Sequence, residues 1–430
     1  MIAARKNAPL SVLLAIVALL ALLAGCSSGS LAVTTVTSTA GQSDGQQSSS
    51  SGESASESES SSSSSAAPST TKVLPPVATV TGTPAFGATD LSPVEPLSFK
   101  VDQGTIDDVT FTNPEGKVVL GTISDDKTTW TVGEVLGFGK TYTLAGTATG
   151  TDGKQVPIAG TYSTVSSDTE TRNTVNPADG AVVGVAAPIS VSFGAEPEDR
   201  ALIEKNVTIT TVPEVEGAWA WVKHDDGRWA MDYRTKDYWP AGTQVHVDAK
   251  LYGLKLNDTS YGASDLTSDF TIGRNQVVYA DVNSHDLVVK QDGNTVASYP
   301  ASFGRGGDNG DPELVTRSGI HVVTEKAAEY LMNNPRYGYT NSLQRWTVRI
   351  SNNGEFIHAN PDSADAQGNS NVTHGCVNLS LTDAEAYYNS AMWGDPVEVY
   401  GTNVNLSSMD GDIYIWGMSW DDWKAMSTTP

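Results

Sequence analysis

Short runs of alternating apolar and polar residues, broken by Gly, Pro and Asp, occupy the chain from about residue 73 to residue 273. Residues 98–101, 109–112 and 141–144 are examples. Alternation places every second side chain on the same face of an extended strand, whereas a helix would need a period of about 3.6 residues. Short strands separated by frequent turn residues are typical of β-sandwiches. This part of the chain is therefore predicted to be all β.

The alternating region contains an internal repeat. Pro-Leu-Ser-Phe at 96–99 is echoed by Pro-Ile-Ser-Val-Ser-Phe at 188–193. Two tandem sandwiches, at 73–167 and 168–274, would explain the repeat. They resemble immunoglobulin-like domains, although this region contains no cysteine for the disulfide that antibody domains carry.

A third domain is predicted at 275–401 because a new set of strand patterns begins there. These strands are expected at 276–282, 286–290, 296–303, 319–324, 346–350 and 397–400. His285 falls in the turn after the first of them, which favours a structural role. Thr382 and Glu385 have capping-box spacing at the start of a helix near 382–388. The domain is therefore predicted to be mixed β with few helices.

The tail at 402–430 is short and rich in tryptophan, with Trp416, Trp420 and Trp423. A segment of this length cannot bury a core of its own. We therefore expect its aromatic side chains to pack on a neighbouring domain.

The N-terminus has the composition of an export signal. Arg5 and Lys6 precede an apolar run at 9–24, which ends in Leu-Ala-Gly directly before Cys26. A cysteine after Leu-Ala-Gly resembles a lipobox, in which the thiol is lipidated and the signal is cut just before it. A transmembrane helix is the alternative, but the run is short for a span.

Residues 1–25 are therefore predicted to be a lipoprotein signal peptide, with Cys26 as the lipidation site. The Ser-rich stretch at 26–72 has almost no large apolar side chains, so it is expected to be a disordered tether. The sequence thus predicts a protein outside the cytoplasm that is held on the membrane by its N-terminal lipid only and faces the cell wall.

The net charge of the chain and its number of cysteines narrow the range of functions that it can have. The formal net charge of -24 argues against nucleic-acid binding, because phosphates repel an acidic protein. Cys26 and Cys376 are the only cysteines of the chain, so lipidation of Cys26 would leave Cys376 without a disulfide partner. An idle thiol in an exported protein is prone to oxidation. Catalysis is therefore the leading explanation for Cys376.

Two histidines, His358 and His374, precede Cys376 in the sequence. His358 ends a predicted strand, and Thr-His-Gly-Cys-Val-Asn follows at 373–378. A thiol attacks a carbonyl as the thiolate, so an imidazole must take its proton or stabilise the ion pair. His374 needs a turn to reach Cys376, whereas His358 can approach from a neighbouring strand. Gly375 leaves room for a substrate carbonyl, and its amide and that of Cys376 are predicted oxyanion donors.

This pattern resembles the active-site signature of the L,D-transpeptidases, whose catalytic domain is called YkuD-like. The resemblance covers about residues 275–401, and the tandem β-domains with a Trp-rich tail resemble the actinobacterial members. It implies that Cys376 is the acylated nucleophile and His358 its base. His374 would position or assist the site through hydrogen bonds.

The resemblance extends to substrate-binding positions. Asn378 matches the closing asparagine of the signature and would support the loop, with Gly375 and Thr373 beside it. Tyr339 matches a lid tyrosine near the oxyanion hole, and Met332 a pocket methionine in the same lid. Family members often carry Ser after the first histidine and before the second, where this chain has Ala359 and Thr373.

The implied reaction is a cysteine-dependent acyl transfer between peptidoglycan stem peptides. Cys376 would attack the L-centre carbonyl of meso-diaminopimelate in a tetrapeptide donor and release D-Ala. The side-chain amine of an acceptor stem would then capture the thioester as a 3→3 cross-link. The resemblance implies no metal or organic cofactor, and carbapenem β-lactams as inhibitors.

Three alternatives remain. His358, His374 and Cys376 are legitimate zinc ligands, but no fourth ligand is evident. Water could replace the amine, which would make the protein an L,D-carboxypeptidase, because acceptor choice depends on the shape of the lid. A non-catalytic wall-binding spacer would agree with the β-domains but not with the intact run at 373–378.

Overall fold

Three groups of β-sheets follow one another in a computed structural model that describes residues 75–306, 311–407 and 415–428. Contacts divide the chain into Met1–Lys72 and Val73–Pro430. The predicted signal peptide, Cys26 and the tether lie outside the described residues. Within the described ranges, no helix is long and apolar enough to cross a membrane.

The first group is a sandwich of two antiparallel sheets, ordered β1-β2-β5-β4 and β3-β6-β7. Its strands are β1 (Thr79–Thr83), β2 (Ser98–Asp102), β3 (Gly104–Thr112), β4 (Gly121–Ile123), β5 (Thr129–Val132), β6 (Thr141–Gly150) and β7 (Gln155–Ser163). Alternate residues such as Phe99 and Val101 face the core, where Phe99 stacks on Trp130 at 5.7 Å between ring centroids. The alternation read from the sequence therefore corresponds to burial.

The second group has two four-stranded sheets, ordered β10-β18-β15-β12 and β13-β14-β11-β9, and a three-stranded sheet, β16-β17-β8. Its pairs are antiparallel except β10–β18 and β8–β17, which are parallel. It comprises β8 (Glu170–Thr171), β9 (Thr174–Asn176), β10 (Val182–Val183), β11 (Ile189–Ser192), α1 (Arg200–Lys205), β12 (Val207–Val212), β13 (Gly217–Lys223), β14 (Trp229–Thr235), β15 (Gln244–Ala249), β16 (Lys255–Asn257), β17 (Ser260–Gly262) and β18 (Leu266–Ile272). Its core is continuous and apolar, and Trp239 is among its largest fully buried side chains.

The third group holds two sheets, ordered β21-β20-β19-β27-β22 and β23-β24-β25-β26. It comprises β19 (Gln276–Asp281), β20 (Asp286–Gln291), β21 (Asn294–Pro300), β22 (Gly319–Val322), β23 (Glu325–Asn334), β24 (Tyr339–Arg349), β25 (Phe356–Ala359), β26 (Val377–Leu379), α2 (Leu381–Ser390) and β27 (Pro396–Tyr400). One apolar core is shared by both sheets and α2. The prediction of a mainly β chain with few helices is confirmed.

A long antiparallel hairpin, β23–β24, was only partly anticipated by the sequence. The pattern predicts a strand at 346–350, yet β24 begins at Tyr339, and β23 was not predicted at all. The sequence Glu-Lys-Ala-Ala-Glu-Tyr-Leu-Met of β23 lacks clean alternation and is rich in helix formers. Most side chains of this hairpin are at least partly exposed, so no core imposes a period of two on them.

The tail after β27 packs on both neighbouring sheet groups. Trp423, in α3 (Trp420–Lys424), is fully buried, and its indole N–H donates to Ala218 O at 2.9 Å. The Arg234 guanidinium carbon lies 4.9–5.4 Å from the ring centroids of Trp416, Trp420 and Trp423. The same cluster contains Val322 of the catalytic domain. The expectation that the tail packs on a neighbouring domain is confirmed.

Loss of the buried Trp423 indole should destabilise the packing of the tail on the neighbouring sheet groups. We expect Trp423→Ala to lower the free energy of unfolding by about 3–5 kcal/mol, because it removes a large buried ring and leaves a cavity. Urea unfolding followed by circular dichroism measures the change. Lys424→Ala on the exposed face of α3 is the control, with an expected change within about 0.5 kcal/mol. Equal effects of the two substitutions would contradict the conclusion that Trp423 holds the tail on the neighbouring sheet groups.

Candidate active site

The turn that carries Cys376 is shaped by Gly375, whose φ is +117°. Residues with a Cβ rarely adopt such an angle. Thr316 donates its hydroxyl proton to Gly375 O at 2.8 Å. The Thr373 hydroxyl donates to Cys376 O at 2.6 Å and accepts the Gly375 N–H at 3.2 Å. These three hydrogen bonds fix the peptide planes on both sides of Gly375.

In the resting turn the Gly375 amide donates to the Thr373 hydroxyl, which is within the same turn. A trans peptide directs its C=O and N–H to opposite sides. Because Gly375 O faces Thr316, the Cys376 N–H faces away from Thr316. The oxyanion role of both amides stays a prediction, and that of Gly375 would require its amide to leave the Thr373 hydroxyl.

The Cys376 sulfur contacts the backbone that enters β25. Its thiol donates to Gly354 O at a sulfur–oxygen distance of 3.7 Å. The Phe356 N–H points at the sulfur and favours the thiolate, yet burial dominates and raises the pKa of Cys376 to about 12. The hydrogen bond of the resting thiol thus goes to a carbonyl and not to an imidazole.

His358 lies on β25, which pairs in parallel with β26, and its register partner is Asn378. Its Nδ1 donates to Ala359 O at 2.9 Å, because a carbonyl can only accept. The proton therefore sits on Nδ1, and Nε2 carries the lone pair that a general base needs. The contact uses the backbone of residue 359, so Ala359 in place of Ser does not remove it.

The pKa values of His358 and Cys376 move apart in the direction that keeps both groups neutral. Burial lowers the pKa of His358 to about 4, while the pKa of Cys376 is raised. At neutral pH the imidazole is deprotonated and the thiol is protonated. Of the two roles considered for the imidazole, proton acceptance during attack is the one that this arrangement supports.

His374 is held by Arg305 and two tyrosines. Arg305 donates to His374 Nε2 at 3.2 Å. The rings of Tyr337 and Tyr339 lie 5.2 Å and 5.8 Å from the imidazole, centroid to centroid. Burial, and then the Arg305 charge, lower the pKa of His374. Its ring is thus braced by polar and aromatic neighbours.

Asn378 supports a loop next to the site. Its Nδ2 donates to Ser363 Oγ at 3.2 Å, and its backbone exchanges two hydrogen bonds with Ser302, of 2.8 Å and 3.0 Å. Its side chain therefore holds the loop near Ser363 and not the turn at Gly375.

Two cavities of about 540 and about 330 Å³ meet at the sulfur. Both are lined by Met332 of β23, Tyr339 of β24, His374 and Cys376. The hairpin β23–β24 thus brings the two predicted lid residues together beside the thiol. Burial raises the pKa of Tyr339, and the charge of Cys376 contributes in the same direction. A small molecule can reach the sulfur from either cavity.

Family models match both parts of the chain. The model of the L,D-transpeptidase catalytic domain covers residues 275–399, and that of a bacterial Ig domain covers 88–255. L,D-transpeptidase 5 of Mycobacterium tuberculosis is 49% identical over 359 residues, which are 83% of this chain and 78% of that protein. The chain belongs to the L,D-transpeptidase family.

Further relatives agree with this family. L,D-transpeptidase 2 of Mycobacterium tuberculosis is 34% identical over 358 residues, 81% of this chain and 85% of that protein. Among solved structures, an LD transpeptidase in complex with imipenem is 29% identical, with a TM-score of 0.43 and coverage of 53% of this chain and 97% of that chain. The predicted family and fold class are confirmed by the sequence relatives and the family models.

Several residues of this L,D-transpeptidase site were not found from its sequence. Thr316, Arg305 and Glu355 lie outside the signature, and Gly354 and Phe356 contribute only backbone groups. Backbone donors and acceptors have no sequence signal of their own. The hydrogen bond from Thr316 joins positions 59 residues apart, so only the fold reveals it.

Metal ligation finds no support in the geometry of the L,D-transpeptidase site. The His358 Nδ1 is used by Ala359 O, and the His374 Nε2 by Arg305. Across the three described ranges, no group of three or more His, Cys, Asp or Glu side chains is placed to hold a metal ion.

The neutral resting pair predicts a particular pH profile. We expect the rate of Cys376 alkylation by iodoacetamide to keep rising above about pH 9 without a plateau near neutrality, because the thiol is protonated at rest. His358→Gln should leave that profile unchanged between about pH 6 and about pH 9. The same substitution should slow acylation by a carbonyl substrate by on the order of 10²–10⁴-fold.

Stopped-flow alkylation in a Cys26→Ala background, where Cys376 is the single thiol, measures this profile. An alkylation plateau near neutral pH that disappears in His358→Gln would show a resting thiolate–imidazolium pair and contradict the prediction. Alkylation also reports whether the variant still presents its thiol.

Proposed function

We propose that this L,D-transpeptidase forms 3→3 peptidoglycan cross-links with Cys376 as nucleophile and His358 as its base. The observation that carries the proposal is a thiol at the meeting point of two cavities, on the same side of the β25–β26 pair as a neutral imidazole. A two-substrate acyl transfer needs access for a donor and for an acceptor to one sulfur.

In the first half-reaction the thiol proton moves to His358 Nε2 while the sulfur bonds to the donor carbonyl carbon. The Cys376 N–H is the amide that we assign to the developing oxyanion. Collapse of the tetrahedral intermediate breaks the C–N bond, and the imidazolium returns its proton to the departing amine of D-Ala. A thioester on Cys376 remains.

In the second half-reaction an amine of another stem attacks the thioester. It passes a proton to His358, the C–S bond breaks, and the sulfur leaves as thiolate, which is then reprotonated. The smaller cavity suits this acceptor because the polar residues Asn360, Asp362 and Asn378 line it. Carboxylate and amide oxygens can accept hydrogen bonds from the N–H groups of a neutral amine, which is the form that attacks the thioester.

Hydrolysis of the same thioester by water is the second candidate outcome. It would make the protein an L,D-carboxypeptidase with unchanged acylation chemistry. The polar lining of the smaller cavity offers the amine hydrogen-bond acceptors that can orient it toward the thioester. The relative share of amine and water thus separates the two activities.

Carbapenems are proposed as covalent inhibitors through the same thiol. A strained β-lactam carbonyl would take the place of the donor carbonyl, and Cys376 would remain acylated after the ring opens. The proposal rests on membership of the L,D-transpeptidase family and on the access to the sulfur described above.

We also propose that Cys26 carries the lipid that holds the enzyme on the outer side of the membrane. The support is the Leu-Ala-Gly-Cys sequence after a positively charged start and an apolar run. A lipid anchor would place the catalytic domain near its peptidoglycan substrates.

The proposed reaction predicts a defined product. We expect purified protein with a disaccharide-tetrapeptide to give a 3→3 dimer and free D-Ala, with hydrolysed tripeptide as the minor product, as resolved by mass spectrometry. Cys376→Ala should give neither product and no covalent carbapenem adduct while keeping its circular dichroism spectrum. Acylation of a folded Cys376→Ala protein would exclude this nucleophile. Tripeptide as the main product would identify a carboxypeptidase.

The proposed lipid anchor predicts that membrane retention can be lost without a change in the rate of acylation. We expect Cys26→Ala to move the protein from the membrane fraction of cells into the soluble or unprocessed pool. Its rate of carbapenem acylation per molecule should equal that of the unaltered protein, because Cys26 is distant in sequence from the signature. Unchanged membrane retention of a correctly exported Cys26→Ala protein would argue against lipid anchoring at this residue.

A further inference from the structure

A buried acidic side chain, Glu355, lies directly beside the candidate nucleophile. Its side chain is 4% exposed. Glu355 Oε1 accepts the Arg317 backbone N–H at 2.9 Å and is 3.5 Å from the Arg317 guanidinium. Glu355 Oε2 accepts the Ser351 hydroxyl at 2.9 Å and is 3.6 Å from His321 Nδ1. Both carboxylate oxygens are therefore held in place.

His321 on β22 packs against this carboxylate. The ring is fully buried, with Nδ1 at 3.2 Å from Ile350 O and Nε2 at 2.8 Å from Arg317 O. Its contacts join the end of β22 and the residue after β24 to the Glu355 side chain, which lies 3.6 Å from Nδ1.

The two peptide groups that flank Glu355 both touch the Cys376 sulfur. Gly354 O, on the N-terminal side, accepts the thiol proton at 3.7 Å. The Phe356 N–H, on the C-terminal side, points at the sulfur and favours its thiolate form. The first peptide group therefore accepts a hydrogen bond from the thiol, and the second donates one that favours the thiolate. The Cα of Glu355 joins the two groups.

We propose that Glu355, held by His321, Arg317 and Ser351, is a positioning residue that orients these two peptide groups against the Cys376 sulfur. Its own charge opposes the thiolate, while Phe356 N–H favours it. Glu355 thus orients the two peptide groups, although its negative charge destabilises the thiolate. The positive charge of the Arg317 guanidinium, 3.5 Å from Glu355 Oε1, partly offsets this destabilisation. The inference rests on the proposed role of Cys376.

Two substitutions separate the geometry from the charge. Glu355→Gln keeps an acceptor for the Arg317 N–H and a polar group for Ser351 but removes the charge. Glu355→Ala removes the anchor and the charge together. We expect Glu355→Gln to acylate with a carbapenem at a rate constant within about threefold of the unaltered protein. Glu355→Ala should be slower by on the order of 10–100-fold. It loses the side-chain anchor, so the flanking peptide groups keep only the hydrogen bonds of Glu355 N–H to Ser351 Oγ at 3.3 Å and of Ile350 N–H to Glu355 O at 3.0 Å.

The pH profile of thiol alkylation gives an independent readout, in full-length protein that carries Cys26→Ala. Glu355 and Arg349 are the charged groups that act on the sulfur. The other charged and titratable side chains that line the two cavities are Glu313, Arg317, Tyr330, Tyr337, Tyr339, His358, Asp362 and His374. Those around the carboxylate are His321 and Arg317. Loss of the Glu355 charge should move the alkylation profile of Glu355→Gln to lower pH. This readout does not depend on transpeptidation, so it separates failure of the inference from failure of the proposed function.

Asp395→Asn is the matched control. Asp395 is also buried and paired with an arginine, Arg274 at 2.8 Å, and burial raises its pKa to about 6. A purely structural loss lowers the melting temperature and the acylated fraction, but not the rate constant per reactive site. We expect Asp395→Asn to show that pattern, with an unchanged alkylation profile.

The inference is overturned if Glu355→Ala, titrated for reactive sites, acylates as fast as Glu355→Gln. It is also overturned if Glu355→Gln is as slow as Glu355→Ala, because the charge and not the anchor would then be required. An alkylation profile of Glu355→Gln that coincides with that of the unaltered protein would show that the carboxylate does not act on the sulfur.

Discussion

The parallel pairing of β25 with β26 is the constraint on which the rest of the site depends. Ile357 pairs with Val377, and His358 with Asn378. Ile357 and Val377 enter the apolar core, so the alternate residues His358 and Asn378 face the other side. A slip of one residue would turn the core residues outward and the polar residues inward. The hydrophobic core therefore determines which face carries the chemistry.

The desolvation of the sulfur and of the His358 imidazole follows from the same packing. Desolvation raises the pKa of Cys376 and lowers that of His358, so the thiol and the imidazole are both uncharged at neutral pH. Charge would appear only when a substrate carbonyl accepts the sulfur and its proton moves to the imidazole. A neutral thiol is also less prone to oxidation than a thiolate. Reactivity is thus coupled to substrate binding.

The non-catalytic parts hold the catalytic domain through specific contacts. Arg274 pairs with the buried Asp395, and the Tyr238 hydroxyl donates to Glu398 at 3.0 Å. Between the first and second sandwiches, the Tyr252 hydroxyl donates to Leu136 O at 2.9 Å. The tail adds the buried Trp416 and Trp423. Apolar and hydrogen-bonded contacts of this kind support the catalytic sheets from outside the site.

The sequence by itself determined the mainly β class, the L,D-transpeptidase family and the short list that contains Cys376, His358 and His374. Alternation and a local signature suffice for these, because each depends on residues close together in the chain. Only the tertiary structure decided that the Gly375 amide is engaged, that β23 is a strand and that the backbone next to Glu355 contacts the sulfur. Backbone groups and exposed hairpins leave little trace in a sequence, and hydrogen bonds between distant segments leave none. Their positions follow from the packing of the whole domain.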